Sequence, residues 1–251
     1  YKVVVVSDGG NKYRFRNSGD TATFAQSAVT LDLQEGGTYI FDQSDSSNSG
    51  HPLRFSETSN GSWGGGSEYT TGVTTSGTAG NAGAFTQITV SASAPTLYYY
   101  CTQHSGMGGQ VNTNTTHGQT NFDGSTLSVS QANTTAGFSI VTYTGTGSNA
   151  TVGHGLNSAP QIVLLKGRSN SGDWQMYNTN LSGTNKTISI NTSDAANTES
   201  SPYYSFNNTA PTSTVFSLGS GNTTNGSSRT FVAYCFAEKQ GYSKFGSYTG
   251  N

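Results

Sequence analysis

Charge is what this sequence has least of. Only 10% of its 251 residues are Asp, Glu, Lys or Arg, against roughly 25% in an average soluble domain. Eleven basic and 13 acidic residues leave a net charge of −2, so the basic stripe of a nucleic-acid binder is missing. Charged coiled coils and charge-rich disordered tails are excluded on the same ground. No apolar run approaches the ~20 residues of a membrane-spanning helix, which argues against membrane insertion. Two cysteines are too few for a disulfide scaffold. Helical signals are nearly absent: no window carries apolar residues at i, i+3, i+4 and i+7 among good helix formers. No G-x-S-x-G elbow, P-loop or H-E-x-x-H pattern occurs, so nothing marks an enzyme.

Glycine, at 33 residues, is abundant, and Ser, Thr and Asn take the place of charge. This is the surface chemistry of an extracellular β-protein. Short β-branched and aromatic runs recur between turn residues. They predict strands at Lys2–Ser7, Tyr13–Phe15, Val29–Leu33, Thr38–Asp42, Leu53–Ser56, Phe85–Val90 and Leu97–Cys101. The segment Asn60–Gly83 reads as a long glycine-rich loop with room for one strand near Tyr69–Val73. Residues 111–136, rich in Asn, Thr, Gln and Ser, read as a polar connector between a first domain at 1–110 and a second at 137–251. The second block predicts strands at Phe138–Tyr143, Gln161–Lys166, Trp174–Tyr177, Thr187–Ile190, Tyr203–Phe206, Val215–Leu218 and Thr230–Ala237. The expected class is all-β, an N-terminal Greek-key sandwich followed by a second sandwich or jelly roll. The chain opens at Tyr1 without Met or a signal peptide, and Tyr248-Thr-Gly-Asn251 echoes Tyr143-Thr-Gly-Thr146. Both features read as a processed form or a piece of a longer product.

The most specific pattern is Tyr98-Tyr-Tyr-Cys101-Thr-Gln-His104-Ser-Gly-Met107. Thiolate, imidazole and thioether follow one another directly after a predicted strand. Two His, one Cys and a weak axial Met are the donors of a blue-copper centre. A second imidazole is available at His51, at the start of another predicted strand. Cys and Met are also ordinary core residues, and zinc or copper storage would use the same donors.

On these residues the segment 1–110 resembles a cupredoxin domain. The Cys-x-x-His-x-x-Met spacing of Cys101, His104 and Met107 is similar to the short ligand loop of amicyanin-like members. The resemblance implies copper as cofactor and His51, Cys101, His104 and Met107 as its ligands. One departure stands out. In many cupredoxins Asn follows the first His and braces the Cys loop; here Pro52 follows, which has no N–H to give.

Other candidates are weaker. Asp42-Gln-Ser-Asp45-Ser-Ser-Asn48 misses the spacing of a calcium loop and reads as a polar turn. His154 reads as a turn residue, His117 as part of the exposed connector, and Cys235 as a small buried thiol. Asn-x-Ser/Thr triplets such as Asn133-Thr-Thr follow from composition. Trp63, Trp174 and Tyr177 are candidate sugar-stacking aromatics, though core packing is the commoner fate.

In the second half, three segments resemble a module of tail-fibre and virion structural proteins of marine bacteriophages: Ala132–Gly145, Val152–Lys166 and Phe231–Gly250. The resemblance implies a non-enzymatic appendage or decoration protein, located extracellularly on the virion. Its partners would be other virion proteins, copies of itself, and a host-surface glycan or protein. The rival expectation is an extracellular blue-copper electron carrier with an adhesive second domain.

Overall fold

The computed structural model describes residues 1–115, 118–181, 183–200 and 204–250, and it is all-β. The chain divides into two compact units, Tyr1–Phe122 and Asp123–Asn251.

In the N-terminal unit β1 (Val3–Ser7) and β2 (Asn11–Phe15) form an antiparallel hairpin. Then come β3 (Leu31–Gln34), β4 (Thr38–Asp42), β5 (Leu53–Ser56), β6 (Val73–Ser76), β7 (Phe85–Thr89), β8 (Leu97–Cys101), β9 (Gln110–Thr115) and β10 (Gln119–Asn121). One sheet has the order β3-β9-β8-β5, with β3 parallel to β9, and a second has the order β4-β7-β6. Period-two alternation makes these strands. In β4, Tyr39 and Phe41 point inward while Thr38 and Ile40 face out. Phe41 meets Phe55 of the other sheet at 5.3 Å between ring centroids, and Phe15 of the hairpin contacts Phe41 at 6.2 Å and Tyr99 at 5.6 Å. Such pairs add about 0.5–1.5 kcal/mol each beyond their buried area. They fix the sheet that carries the candidate site.

The C-terminal unit contains β11 (Ser128–Asn133), β12 (Phe138–Thr144), β13 (Ala150–Gly153), β14 (Ile162–Gly167), β15 (Gln175–Asn178), β16 (Lys186–Ser189), β17 (Asn197–Thr198), β18 (Val215–Leu218), a single helical turn α1 (Asn222–Asn225) and β19 (Thr230–Phe236). Its main sheet runs β11-β12-β19-β14-β15-β16-β17, and β13 pairs with β18. Val141, Val163, Leu165, Phe231 and Ala233 on the inner face cluster with Val152, Phe216 and Leu218 of the β13–β18 pair. Tyr143 meets Phe216 at 6.2 Å across that core.

Three expectations change. The polar connector expected at 111–136 is built of strands: β9, β10 and β11 all fall in it. The first compact unit accordingly runs to Phe122 rather than 110. Hydroxyls fill the inward positions of these strands and hide the apolar period. Thr113 is buried and donates to the carbonyls of Ala94 and Pro95 at 2.9 and 2.7 Å; Ser128 donates to Gly153 O at 2.9 Å. The strand expected near Tyr69–Val73 lies at Val73–Ser76 instead. Of the strand expected at Tyr203–Phe206, Tyr203 lies outside the described residues and 204–206 form no strand. Phe206 is still core, edge-on to Tyr177 at 5.8 Å.

Candidate metal centre

Two neighbouring strands bring the donors together. The β5–β8 register pairs Leu53 with Cys101. His51, two residues before β5, therefore lies beside the end of β8. Cys101 Sγ is 3.9 Å from His51 Nδ1 and 3.8 Å from His104 Nδ1. The three ligand atoms all lie within 4.8 Å of one another, and the two imidazole rings are 4.5 Å apart. Cys101 is fully buried, His51 half-buried and His104 exposed. Met107, on the same loop, is fully buried, and its carbonyl accepts the N–H of Tyr13 at 3.0 Å. Burial, and then the neighbouring His104, hold His51 below the ordinary histidine range, which favours the neutral form that can ligate a metal.

The position of His51 is set through its backbone. Its carbonyl accepts from Tyr13 Oη at 2.8 Å and from Gln43 Nε2 at 2.9 Å, and Gln43 Oε1 accepts the Leu53 N–H at 3.0 Å. Pro52 cannot donate, but its carbonyl accepts from Thr102 N at 3.2 Å, tying the two ligand-bearing segments together. The brace that Pro52 cannot supply comes from Asn60. Its Oδ1 accepts the Gly106 N–H at 2.8 Å and its Nδ2 donates to Ser105 Oγ at 2.9 Å, clamping the loop between His104 and Met107. Lys12 Nζ donates to the Gly106 carbonyl on the same turn. Trp63 Nε1 donates to the carbonyl of Cys101 at 3.0 Å, while its ring is 51% exposed. His51 Nε2 faces the Asn11 amide at 3.4 Å. An imidazole offering its Nδ1 lone pair carries the proton on Nε2, so Asn11 meets it best with its carbonyl oxygen.

The loop needs its glycines at two places. Gly106 has φ +74°, a conformation that residues with a Cβ adopt at a cost. A Cβ on Gly108 would lie 1.7 Å from the Tyr99 carbonyl oxygen. The loop leaves β8 so closely against its own strand that no other residue fits.

Three of the four expected ligands, His51, Cys101 and His104, thus converge on one point beside the β5–β8 pair, while Met107 is buried further along the same loop. Sequence reasoning missed Asn60, Asn11, Tyr13 and Gln43, none of which belongs to a recognisable spacing. The remaining candidates fall elsewhere. Asp45 caps a 3-10 turn at Ser46–Asn48, with Oδ1 accepting from Ser47 N at 3.0 Å, as a polar turn would. His154 lies outside any strand, directly after β13. It is fully buried, its Nδ1 accepting from Leu156 N and its Nε2 facing Thr212 O, both at 3.2 Å. Cys101 and Cys235 are both free; burial pushes the Cys235 thiol up. Tyr177 is buried core, whereas Trp174 stacks on Tyr234 at 6.1 Å. His117 lies outside the described residues.

Fold and constellation together define a two-unit all-β protein whose N-terminal unit carries a His–Cys–His cluster at one sheet edge. A family model for a domain of unknown function, DUF7483, matches residues 110–251. That is more than half of the chain, which therefore belongs to this family. The match begins at β9, so the ligand residues precede it. No curated protein and no solved structure matches the chain.

Proposed function

We propose that the N-terminal unit binds one copper ion through Cys101 Sγ and the Nδ1 atoms of His51 and His104, with Met107 as a weak fourth donor. The observation that carries this reading is the sulfur–nitrogen spacing of 3.8–3.9 Å. Bonds of ~2.3 Å to sulfur and ~2.0 Å to nitrogen put those atoms about 3.5 Å apart at a tetrahedral angle and about 3.7–3.9 Å apart in an open, trigonal one. The spacing of 3.8–3.9 Å is therefore short enough for one ion to reach the sulfur and each imidazole, and a thiolate with two imidazoles and a thioether nearby in sequence is the donor set of His₂Cys copper. One thiolate and two imidazoles form a soft donor set that also disfavours calcium or magnesium. Copper held there would supply one-electron chemistry. The chain's own residues orient the donors (Tyr13 and Gln43 for His51, Asn60 for the loop) and bury the sulfur. The resemblance of residues 1–110 to cupredoxins supports the same assignment.

For the C-terminal unit we propose a structural role as an appendage of a phage particle. Its support is the resemblance of three segments to tail-fibre modules; these segments contain β12, the end of β13 with most of β14, and nearly all of β19, and β12, β19 and β14 lie side by side in the main sheet. The exposure of His104 favours a second reading of the first unit, electron exchange with a partner, because a ligand at the surface gives a short path to the metal. Copper titration of the full chain tests the assignment. Strong visible absorbance from sulfur-to-copper charge transfer is expected, and Cys101→Ser should abolish it. A chain that stays colourless with copper, or that takes zinc in preference, refutes the copper centre. Reversible bleaching by a mild reductant supports electron exchange; a colour that resists reduction leaves the structural role alone.

A further inference from the structure

The outer face of the β3-β9-β8-β5 sheet carries a row of polar side chains that neither the core nor the metal centre uses. Leu97, Tyr99 and Cys101 of β8 are buried on the inner face, so Tyr98 points out. Register places Ser56 of β5 on one side of Tyr98 and Gln110 of β9 on the other. Gln110 Nε2 donates to Asn112 Oδ1 at 2.7 Å, and Asn112 Nδ2 donates to Asp32 Oδ1 at 3.0 Å. The row thus reaches β3, where Asp32 pairs with Asn112. A carboxylate only accepts, which fixes the direction of both amides and leaves each with further donor and acceptor positions for a ligand. Tyr98, Gln110, Asn112 and Asp32 are all half-buried. At the β5 end the row meets an open cleft of about 370 Å³ whose walls include Ser56, Glu57 and Tyr69. Hydrogen bonds tie those walls together. Ser56 Oγ donates to Ser67 O at 2.7 Å and accepts from Thr58 N at 3.1 Å, and Tyr69 N donates to Phe55 O at 2.7 Å. A Cβ on Gly66 would lie 2.4 Å from Thr58 Cβ, so the cleft is a fixed feature of the fold.

We propose that this row and the cleft beside it form one binding face for a neutral oligosaccharide. Charge, separation and hydrogen-bonding chemistry select that ligand. Arg54 is the one basic residue in the four strands and in the cleft segment 56–71. Glu68 holds its guanidinium at 3.2 Å, and the Leu53 carbonyl and Thr86 hydroxyl take a further N–H group. A phosphate, sulfate or uronate therefore finds no free cation to pair with. The carboxylates of Glu57 and Asp32 stand at opposite ends of the row. Three strand spacings of ~4.8 Å put them about 14 Å apart, too far to share a metal ion, so they act as separate acceptors along an extended ligand. A peptide strand has nothing to add to here, because β8 and β9 lie inside the sheet with a hydrogen-bonded strand on either side. What the face offers is amide, hydroxyl and carboxylate groups beside the Tyr98 ring. That combination bonds sugar hydroxyls and stacks on a sugar's C–H face. The proposal rests on the register of the N-terminal unit and needs neither the copper reading nor the particle reading.

An array of neutral and acidic oligosaccharides, probed with the full chain, tests it. The expected result is binding to neutral glycans that Tyr98→Ala weakens about tenfold and Gln110→Ala about fivefold, with the circular dichroism spectrum unchanged. If Tyr98→Ala fails to fold, Gln110→Ala and Glu57→Gln, whose side chains lie outside the core, make the same test. A chain that binds no glycan overturns the proposal, as does binding confined to sulfated or sialylated glycans. Binding indifferent to the folded variants but lost in Trp174→Ala also overturns it and moves the glycan to the C-terminal unit.

Discussion

The Asn60 clamp gives the sharpest test of how the ligand loop is held. Asn60 has φ +62°, in the left-handed region, so Asn60→Gly removes the side chain without adding backbone strain. Asn60→Ala would mix in a left-handed penalty of about 1–2 kcal/mol. The lost side chain makes two hydrogen bonds, to Gly106 N at 2.8 Å and Ser105 Oγ at 2.9 Å. Each contributes a net ~0.5–1.5 kcal/mol when shielded from water. Both are exposed here, so half of their sum, about 1 kcal/mol, is the reasonable expectation, equivalent to roughly fivefold in an equilibrium constant. Two measurements follow from one variant. Amide exchange at Gly106 should accelerate in the metal-free protein, whatever the site binds. Copper affinity, read by competition with a chelator, should fall about fivefold because the loop must be ordered when the metal enters. Unchanged exchange at Gly106 together with affinity within about twofold of the unmodified chain would refute the clamp.

Two further outcomes follow from burial. His154 is fully buried and held below the ordinary histidine value chiefly by desolvation, which the Thr212 carbonyl and Asp123 only partly oppose. Between the ordinary value of ~6.5 and the lowered folded one, the unfolded chain binds a proton that the folded chain does not. Its stability contribution is therefore complete above about pH 6.5 and is lost as pH falls through the folded value. Urea melts of the C-terminal unit should show this slope, and His154→Gln should flatten it; an equal slope in both proteins sinks the argument. Phe41 is fully buried against the rings of Tyr1, Phe15 and Phe55 at 5.3–6.2 Å. Phe41→Ala should destabilise the N-terminal unit by about 3–5 kcal/mol, and a loss below ~1 kcal/mol in chemical denaturation would contradict a closely packed centre.

The strands legible in the sequence are those whose inward positions are large and apolar. Leu53–Ser56, Leu97–Cys101 and Val215–Leu218 have the ends read from their residues. The strands that sequence reading took for a connector, β9 and β11, put Thr113, Ser128 and Ser130 inside. A hydroxyl bonded to a backbone carbonyl is as acceptable in a core as a methyl group, but on a hydrophobicity pattern it counts as surface. A chain so poor in charge makes the confusion worse, because its exposed and buried positions both draw on Ser and Thr. The domain boundary moved for the same reason.

The site divides along a similar line. That His51, Cys101 and His104 cluster was legible because thiolate and imidazole donors have an intrinsic chemistry, and Cys101 and His104 stand three residues apart. The supporting residues were not. Asn60 is 46 residues from the Gly106 amide it holds, and Tyr13 is 38 from the His51 carbonyl. Their roles exist only once β2, β5 and β8 are assembled, and a side-chain amide or phenol leaves no periodic trace. Pro52 shows how this changes a conclusion. Read in sequence, the missing N–H looks like a defect in the bracing of the ligand loop. In the fold, the Pro52 carbonyl joins Thr102, and the brace comes from an Asn in a different loop. A metal held by these donors would require that both segments be immobilised against one sheet edge. The residues that achieve it are free to come from wherever the fold brings a donor within about 3 Å.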